Sequence, residues 1–373
     1  MRALSGRVRR PARRAAVAAC ALATVVAGGA LALALVARRS DTGQRPGPRA
    51  RAHAAAARAR GAARARGAAH GAAAAEGRGA REGGAHTATY AVGERVLTLV
   101  ERTRTVTLPG RAPGPRTLVT LVLYPALGPI RSAVTPDAPP DRGAGPFPLV
   151  VFGHGFDTTP ATYVRLLVAW ARAGFVVAAP TFPLTSAGAP GGPRESDLVN
   201  QPGDMSFVIT RITKLSRRAT GALSGMIDPG RIAVAGQSDG GETALAVAFD
   251  RHYLDRRVRA AVLLSGARVP SVAALRLGPG EPALLAAQGT ADPVSPARYT
   301  YAFFALARRP KFLLKLPGAG HLAPYTRPGA ELAIVQRVST AFLLRYLDGR
   351  VGALARMERA GDRPGQAQLI ADP

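Results

Sequence analysis

The chain has 373 residues and carries 50 lysines and arginines against 23 aspartates and glutamates, a formal net charge of +27. Its single cysteine excludes any internal disulfide, whatever compartment the protein occupies. Lysine is scarce, no glycine-rich loop ends in Lys-Ser/Thr, and the histidines lack metal-ligand spacing, so no nucleotide, flavin or metal site is written in the sequence and no cofactor is expected.

The first fourteen residues hold six arginines, and residues 15–37 follow as an apolar run of 23 without a charge. At 1.5 Å per residue such a run is long enough to cross a hydrocarbon core. A basic start before an apolar stretch is the layout of a signal peptide, with small residues at 35–37 for cleavage, while the length favours a retained anchor. Residues 1–39 therefore read as a basic N-terminus plus signal peptide or membrane anchor. Arginines flank the run on both sides, so charge does not set its orientation. The expectation is an exported or membrane-anchored protein of a bacterial envelope, its catalytic domain outside the cytoplasm, with membrane association through residues 15–37.

Residues 40–90 are almost entirely Arg, Ala, Gly and Pro, a composition that cannot bury enough apolar area to offset the entropy of ordering. This stretch is expected to be a disordered linker. Seventeen arginines against three acids stand before residue 90, so much of the net charge belongs here. No aromatic residues interleave to stack on bases, and no specific nucleic-acid partner is expected.

From 91 to 350 apolar runs alternate with helical patterns, as in one α/β domain. The runs at 96–108 and 118–124 show partial period-two alternation, the mark of half-buried strands near a sheet edge. Those at 147–152, 175–179, 231–235, 259–264, 283–287 and 311–316 are short and nearly all apolar. Such runs suit a mostly parallel sheet covered by helices on both faces. Helical stretches are expected at 161–173, 204–220, 240–249, 296–306 and 332–347. Only a short connection separates the strands ending at 264 and starting at 283, so no large lid domain is expected. Residues 351–373 read as a C-terminal tail.

Chemistry concentrates just after the apolar runs, where an open parallel sheet gathers its reacting groups. The run at 231–235 leads into Gly-Gln-Ser-Asp-Gly at 236–240 and then a helix, placing Ser238 at the tip of a sharp turn with glycine two residues to either side. A serine hydroxyl needs a base to take its proton. Of the histidines in this domain, His252 sits on a charged helix end and His154 follows an early strand. His321 stands in a glycine-rich loop after the last run and is assigned as general base. Asp292, in Gly-Thr-Ala-Asp-Pro at 289–293, follows the preceding run and is the expected orienting acid, against a plain turn-forming role before proline. The backbone amides of Asp239 and Phe156 are expected to form the oxyanion hole, with Gly155 the weaker choice for the second donor. His154, Phe182 and Leu184 are expected around a substrate pocket, a role that plain packing would explain as well.

With Gly-His-Gly-Phe at 153–156, Gly-Gln-Ser-Asp-Gly at 236–240, Gly-Thr-Ala-Asp at 289–292 and Gly-His at 320–321, residues 91–350 resemble the α/β-hydrolase superfamily in its order Ser, Asp, His. Within it they are most similar to bacterial serine esterases related to dienelactone hydrolase, chlorophyllase, platelet-activating-factor acetylhydrolase and cutinase. Gln237 departs from relatives that carry histidine there. The resemblance implies an α/β-hydrolase fold and cleavage of carboxylic esters, whether lipid, small ester or polyester, through an acyl-enzyme. A peptidase or halide-independent peroxidase would use the same triad. In a different class stands a non-catalytic hydrolase-fold scaffold whose arginine-rich segment binds anionic envelope components or nucleic acid.

Overall fold

A computed structural model describes residues 89–267 and 280–373. The signal or anchor expected at 15–37 and the linker at 40–88 lie outside the described residues, as does most of the connection between 264 and 283. Among the described residues no helix is long and apolar enough to cross a membrane, and no helical subdomain interrupts the α/β alternation.

Ten strands form one sheet: β1 (Ala91–Val106), β2 (Gly114–Ala126), β3 (Thr135–Pro136), β4 (Phe147–Gly153), β5 (Val176–Thr181), β6 (Ile227–Gln237), β7 (Val258–Leu264), β8 (Ala283–Gly289), β9 (Lys311–Leu316) and β10 (Gln368–Asp372). Their order across the sheet is β10-β9-β8-β7-β6-β4-β5-β2-β1-β3. The six from β9 to β5 run parallel, while β2 joins β5 antiparallel and β1 pairs antiparallel with β2. Among the described residues the α-helices are α1 (Val164–Arg172), α2 (Gln201–Ser216), α3 (Asp239–Phe249), α4 (Ala297–Leu306), the single turn α5 (Ala323–Thr326), α6 (Ala330–Tyr346) and α7 (Ala353–Gly361).

The apolar runs are continuous because each central strand feeds two cores. Along β4, Val150 and Phe152 enter one core and Leu149 and Val151 the other; β6 divides Ala233 and Ala235 from Ile232 and Val234 in the same way. The first core is closed by Leu166 and Trp170 of α1, Val338 and Phe342 of α6 and Met357 of α7. The second is closed by Val208 and Ile212 of α2, Leu245 and Phe249 of α3, and Phe303 of α4. Each fully buried aromatic or aliphatic side chain contributes about 1.5–3 kcal/mol. Trp170, the largest, satisfies its indole N–H on Ser339 Oγ at 2.9 Å.

The chain leaves β4 for β5 on one side and returns to β6 on the other. A crevice opens at such a reversal, outside the carboxyl ends of β4 and β6. The loop at 153–156 and Ser238 both stand there.

The C-terminal residues correct the sequence reading. Residues 351–373, expected as a tail, form α7 and β10; Ala353, Met357 and Ala360 are buried, and β10 extends the sheet antiparallel to β9. Helix α7 is two-faced, with Ala353, Met357 and Ala360 buried and Glu358 and Arg359 exposed, but the buried face is mostly alanine and so short a helix was not read from the sequence. Tyr90, placed in the linker, docks its backbone N–H on Arg172 O at 2.9 Å and its ring edge-on against Phe147. The two-residue β3 was not foreseen.

Candidate active site

Strand β6 is buried between β4 and β7 and ends at Gln237; α3 begins at Asp239, so Ser238 alone makes the turn. It adopts φ 53°, ψ −125°, a conformation an L-residue enters only when its surroundings impose it. They do so by close packing. A Cβ on Gly236 would lie 2.0 Å from the Gly240 carbonyl oxygen, and one on Gly240 would lie 2.0 Å from that of Gly153. The turn is tied by Ser238 N–H to Leu264 O at 3.0 Å and by Glu242 N–H to Ser238 O at 3.0 Å. Asp239 and Glu242 occupy the first turn of α3, where its dipole favours negative charge.

The loops after β8 and β9 bring the other two groups to this turn. Ala291 N–H donates to Ala319 O at 3.0 Å, Gly318 N–H to Thr290 Oγ1 at 2.9 Å, and a side chain on Gly289 would strike the Ala319 carbonyl at 2.4 Å. So joined, the loops place His321 Nε2 2.9 Å from Ser238 Oγ and His321 Nδ1 2.8 Å from Asp292 Oδ2. A carboxylate accepts only, so the Nδ1 proton points to Asp292 and Nε2 is left to accept from the serine. Asp292 is buried, and its second oxygen takes the Val294 and Ser295 amides at 2.9 and 2.8 Å. Gln288 Nε2 donates to Oδ2 at 3.2 Å while Thr300 Oγ1 holds the Gln288 carbonyl at 2.6 Å. The Asp-Pro turn and the carboxylate's grip on His321 thus coexist.

Asp239, the first expected oxyanion donor, opens α3 directly after the serine, and the loop after β4 carries both amides considered for the second. The Gly155 N–H donates to Tyr163 Oη at 3.2 Å, whereas the Phe156 N–H meets no acceptor among the described residues. The Phe156 side chain is 37% exposed.

Of the three residues expected around a pocket or in plain packing, His154 and Phe182 take the packing role. His154 and Phe182 are fully buried and line no open pocket; Leu184 is half-buried. His154 braces the loop from behind: Nδ1 lies 2.8 Å from Gly155 O, and Nε2 accepts the Phe182 N–H at 3.0 Å. Burial lowers its pKa to about 4, so the ring is neutral with the proton on Nδ1. His252 is exposed beyond the end of α3.

Three side chains near the triad escaped the sequence reading. Tyr163 Oη donates to Gln237 Oε1 at 2.7 Å, and Gln237 Nε2 donates to His321 O at 3.0 Å. Gln237 therefore bridges the loop after β4 to the loop that carries His321. Tyr325, fully buried, bonds Ala287 O at 3.1 Å and Ser265 Oγ at 2.8 Å, fixing α5 against the ends of β7 and β8. The one local signal was Gln237, a polar residue at the buried end of an apolar strand.

A family model described as chlorophyllase matches residues 134–265, which hold β4 through β7, the loop at 153–156 and the Ser238 turn. A ferulic acid esterase from Streptomyces cinnamoneus superposes with a TM-score of 0.58 over 78% of this chain and 98% of its own length. The chain has the α/β-hydrolase fold. Sequence identity to that esterase is 23%, and the likeness is one of fold. No curated protein matches the chain. In this fold the strained serine after the fifth long strand and the loops after β8 and β9 occupy the carboxyl edge of the parallel strands, where an open sheet gathers its reacting groups.

Proposed function

We propose that the protein is a serine carboxylic ester hydrolase that works through an acyl-enzyme. The observation that carries this reading is the continuous hydrogen-bonded chain from Ser238 Oγ through His321 to Asp292, at 2.9 and 2.8 Å, on a turn held at positive φ. Ser238 attacks the ester carbonyl while His321 Nε2 takes the hydroxyl proton, and Asp292 stabilises the imidazolium that forms. The charge that develops on the carbonyl oxygen falls to the Phe156 and Asp239 amides, a type of contact worth about a hundredfold to a thousandfold in rate per donor. Collapse of the tetrahedral intermediate breaks the bond to the alcohol, which leaves with the proton from His321. Water then repeats the sequence on the acyl-serine and releases the acid. A protein with this fold is named for ferulic acid esters, which makes methyl ferulate a suitable first substrate beside short-chain and long-chain alkyl esters.

The test is labelling of the full chain by a fluorophosphonate probe, located by mass spectrometry, with Ser238→Ala in parallel. We expect one adduct, on Ser238, and a loss of ester turnover of about 10⁴-fold or more in the variant. A folded protein that takes no adduct would remove this reading and leave the non-catalytic scaffold.

A further inference from the structure

Helices α1, α6 and α7 enclose a groove of about 580 Å³ that no residue of the triad or of the 153–156 loop lines. Six arginines surround it: Arg165 and Arg172 from α1, Arg337 from α6, Arg356 and Arg359 from α7, and Arg363 just beyond. No acidic residue lines it. Arg165, Arg337, Arg356, Arg359 and Arg363 make no side-chain hydrogen bond or ion pair with any described residue. Arg172 gives one nitrogen to the Arg131 and Ser132 carbonyls, and its Nε is buried without a partner among the described residues. Elsewhere in the fold some arginines are paired, Arg116, Arg231 and Arg257 each holding an aspartate, and others, such as Arg217, Arg256 and Arg327, have no side-chain partner among the described residues; the groove differs in that six converge on one concavity without an acid.

Six like charges around one concavity repel one another, and an anion is what relieves that repulsion. Guanidinium is weakly hydrated and its planar fork matches phosphate oxygens two at a time. Beneath the arginines the groove is apolar, lined by Val168, Ala341 and Leu344. A bare polyanion would gain nothing from that floor, and no aromatic ring lines the groove for a base to stack on. Its volume falls in the range of sites that enclose a small molecule.

We infer that this groove binds a phospholipid of net negative charge, its headgroup phosphate held by the arginines and the start of its acyl chain laid on Val168, Ala341 and Leu344. The site is independent of the proposed ester hydrolysis. Hydrogen exchange on the full chain tests it, with monomeric dihexanoyl phosphatidylglycerol as the probe. Expected is protection in peptides from α1, α6 and α7, weakened at least about tenfold in apparent affinity by Arg337→Gln combined with Arg359→Gln. Circular dichroism checks that this double variant keeps its fold; if it does not, Arg165→Gln with Arg363→Gln takes its place. Three results would each overturn the inference: protection confined to peptides before residue 89, equal protection by dihexanoyl phosphatidylcholine, or the same protection from inorganic phosphate alone, which would make the groove a simple anion site.

Discussion

His154 shows how one buried side chain links the loop facing the nucleophile to the stability of the fold. Its Nε2 must stay unprotonated to accept the Phe182 N–H, and burial holds it so by lowering the pKa from 6.5 to about 4. In the unfolded chain the same ring takes a proton near its ordinary value. Between those two points the unfolded state binds more protons than the folded one, so this contribution is complete above about pH 6.5 and is lost as the pH falls toward 4. The difference amounts to about 3 kcal/mol. In His154→Gln the amide can reproduce both hydrogen bonds and carries no titratable group. We therefore expect the variant to be less stable than the parent at about pH 7 but to lose about 3 kcal/mol less than the parent does between about pH 7 and about pH 4. Urea unfolding at the two pH values reads this directly, and parallel pH slopes for both proteins would refute it.

At the scale of elements, α2 is tied to the antiparallel edge by charge as well as by apolar packing. Arg116, on β2 and 1% exposed, donates from Nε and Nη2 to Asp204 of α2 at 2.6 and 2.7 Å, and from Nη1 and Nη2 to Asp197 at 3.1 and 2.6 Å. Arg104 adds a second cation to Asp204 at 2.6 Å. Burial alone would lower the Arg116 pKa, but its hydrogen bonds and attraction to the two aspartates raise it above the ordinary arginine value. For Asp204 burial wins and the pKa is raised despite both arginines. An ion cluster of this kind need not stabilise the fold relative to an apolar core, yet breaking it strands buried charge. Arg116→Ala should lose about 3–5 kcal/mol in chemical denaturation, and Arg116→Met with Asp197→Asn and Asp204→Asn should recover most of that. A mild effect of the single change would show that water reaches the two aspartates. Nothing in the sequence marked Arg116 among so many arginines, because its partners lie 81 and 88 positions away. The nucleophile turn was legible for the opposite reason. Gly236, Ser238 and Gly240 satisfy one local constraint, and the strand and helix on either side are contiguous with it. The loops at 292 and 321 were legible through order along the chain, since each follows an apolar run that ends at the same sheet edge. For His154 and Phe182 the sequence left pocket and packing open, because position along the chain gives the edge but not which way a side chain faces.

For the whole molecule the sharpest departure from the sequence reading is where the fold stops. Helix α7 is short and rich in Ala and Arg, as is the segment before residue 90. Composition alone does not show that α7 meets a surface it fits. Ala353 and Met357 are fully buried against α6 and the sheet, and Gly361 lies so close to Leu369 that a Cβ there would come within 2.9 Å of it. β10 then covers five residues of β9, from Lys311 to Lys315, which would otherwise present unpaired backbone groups at the sheet edge. Ending the chain after Arg350 removes this cover without touching the triad. We expect the shortened protein to melt about 10 °C lower or more, consistent with a loss of roughly 3–5 kcal/mol of burial in a domain of this size, and to aggregate through the bared edge of β9. Labelling of Ser238 at low temperature should persist, because none of the hydrogen bonds around the triad reaches beyond residue 325. An unchanged melting temperature and solubility would mean that the last two elements rest on a fold already complete without them.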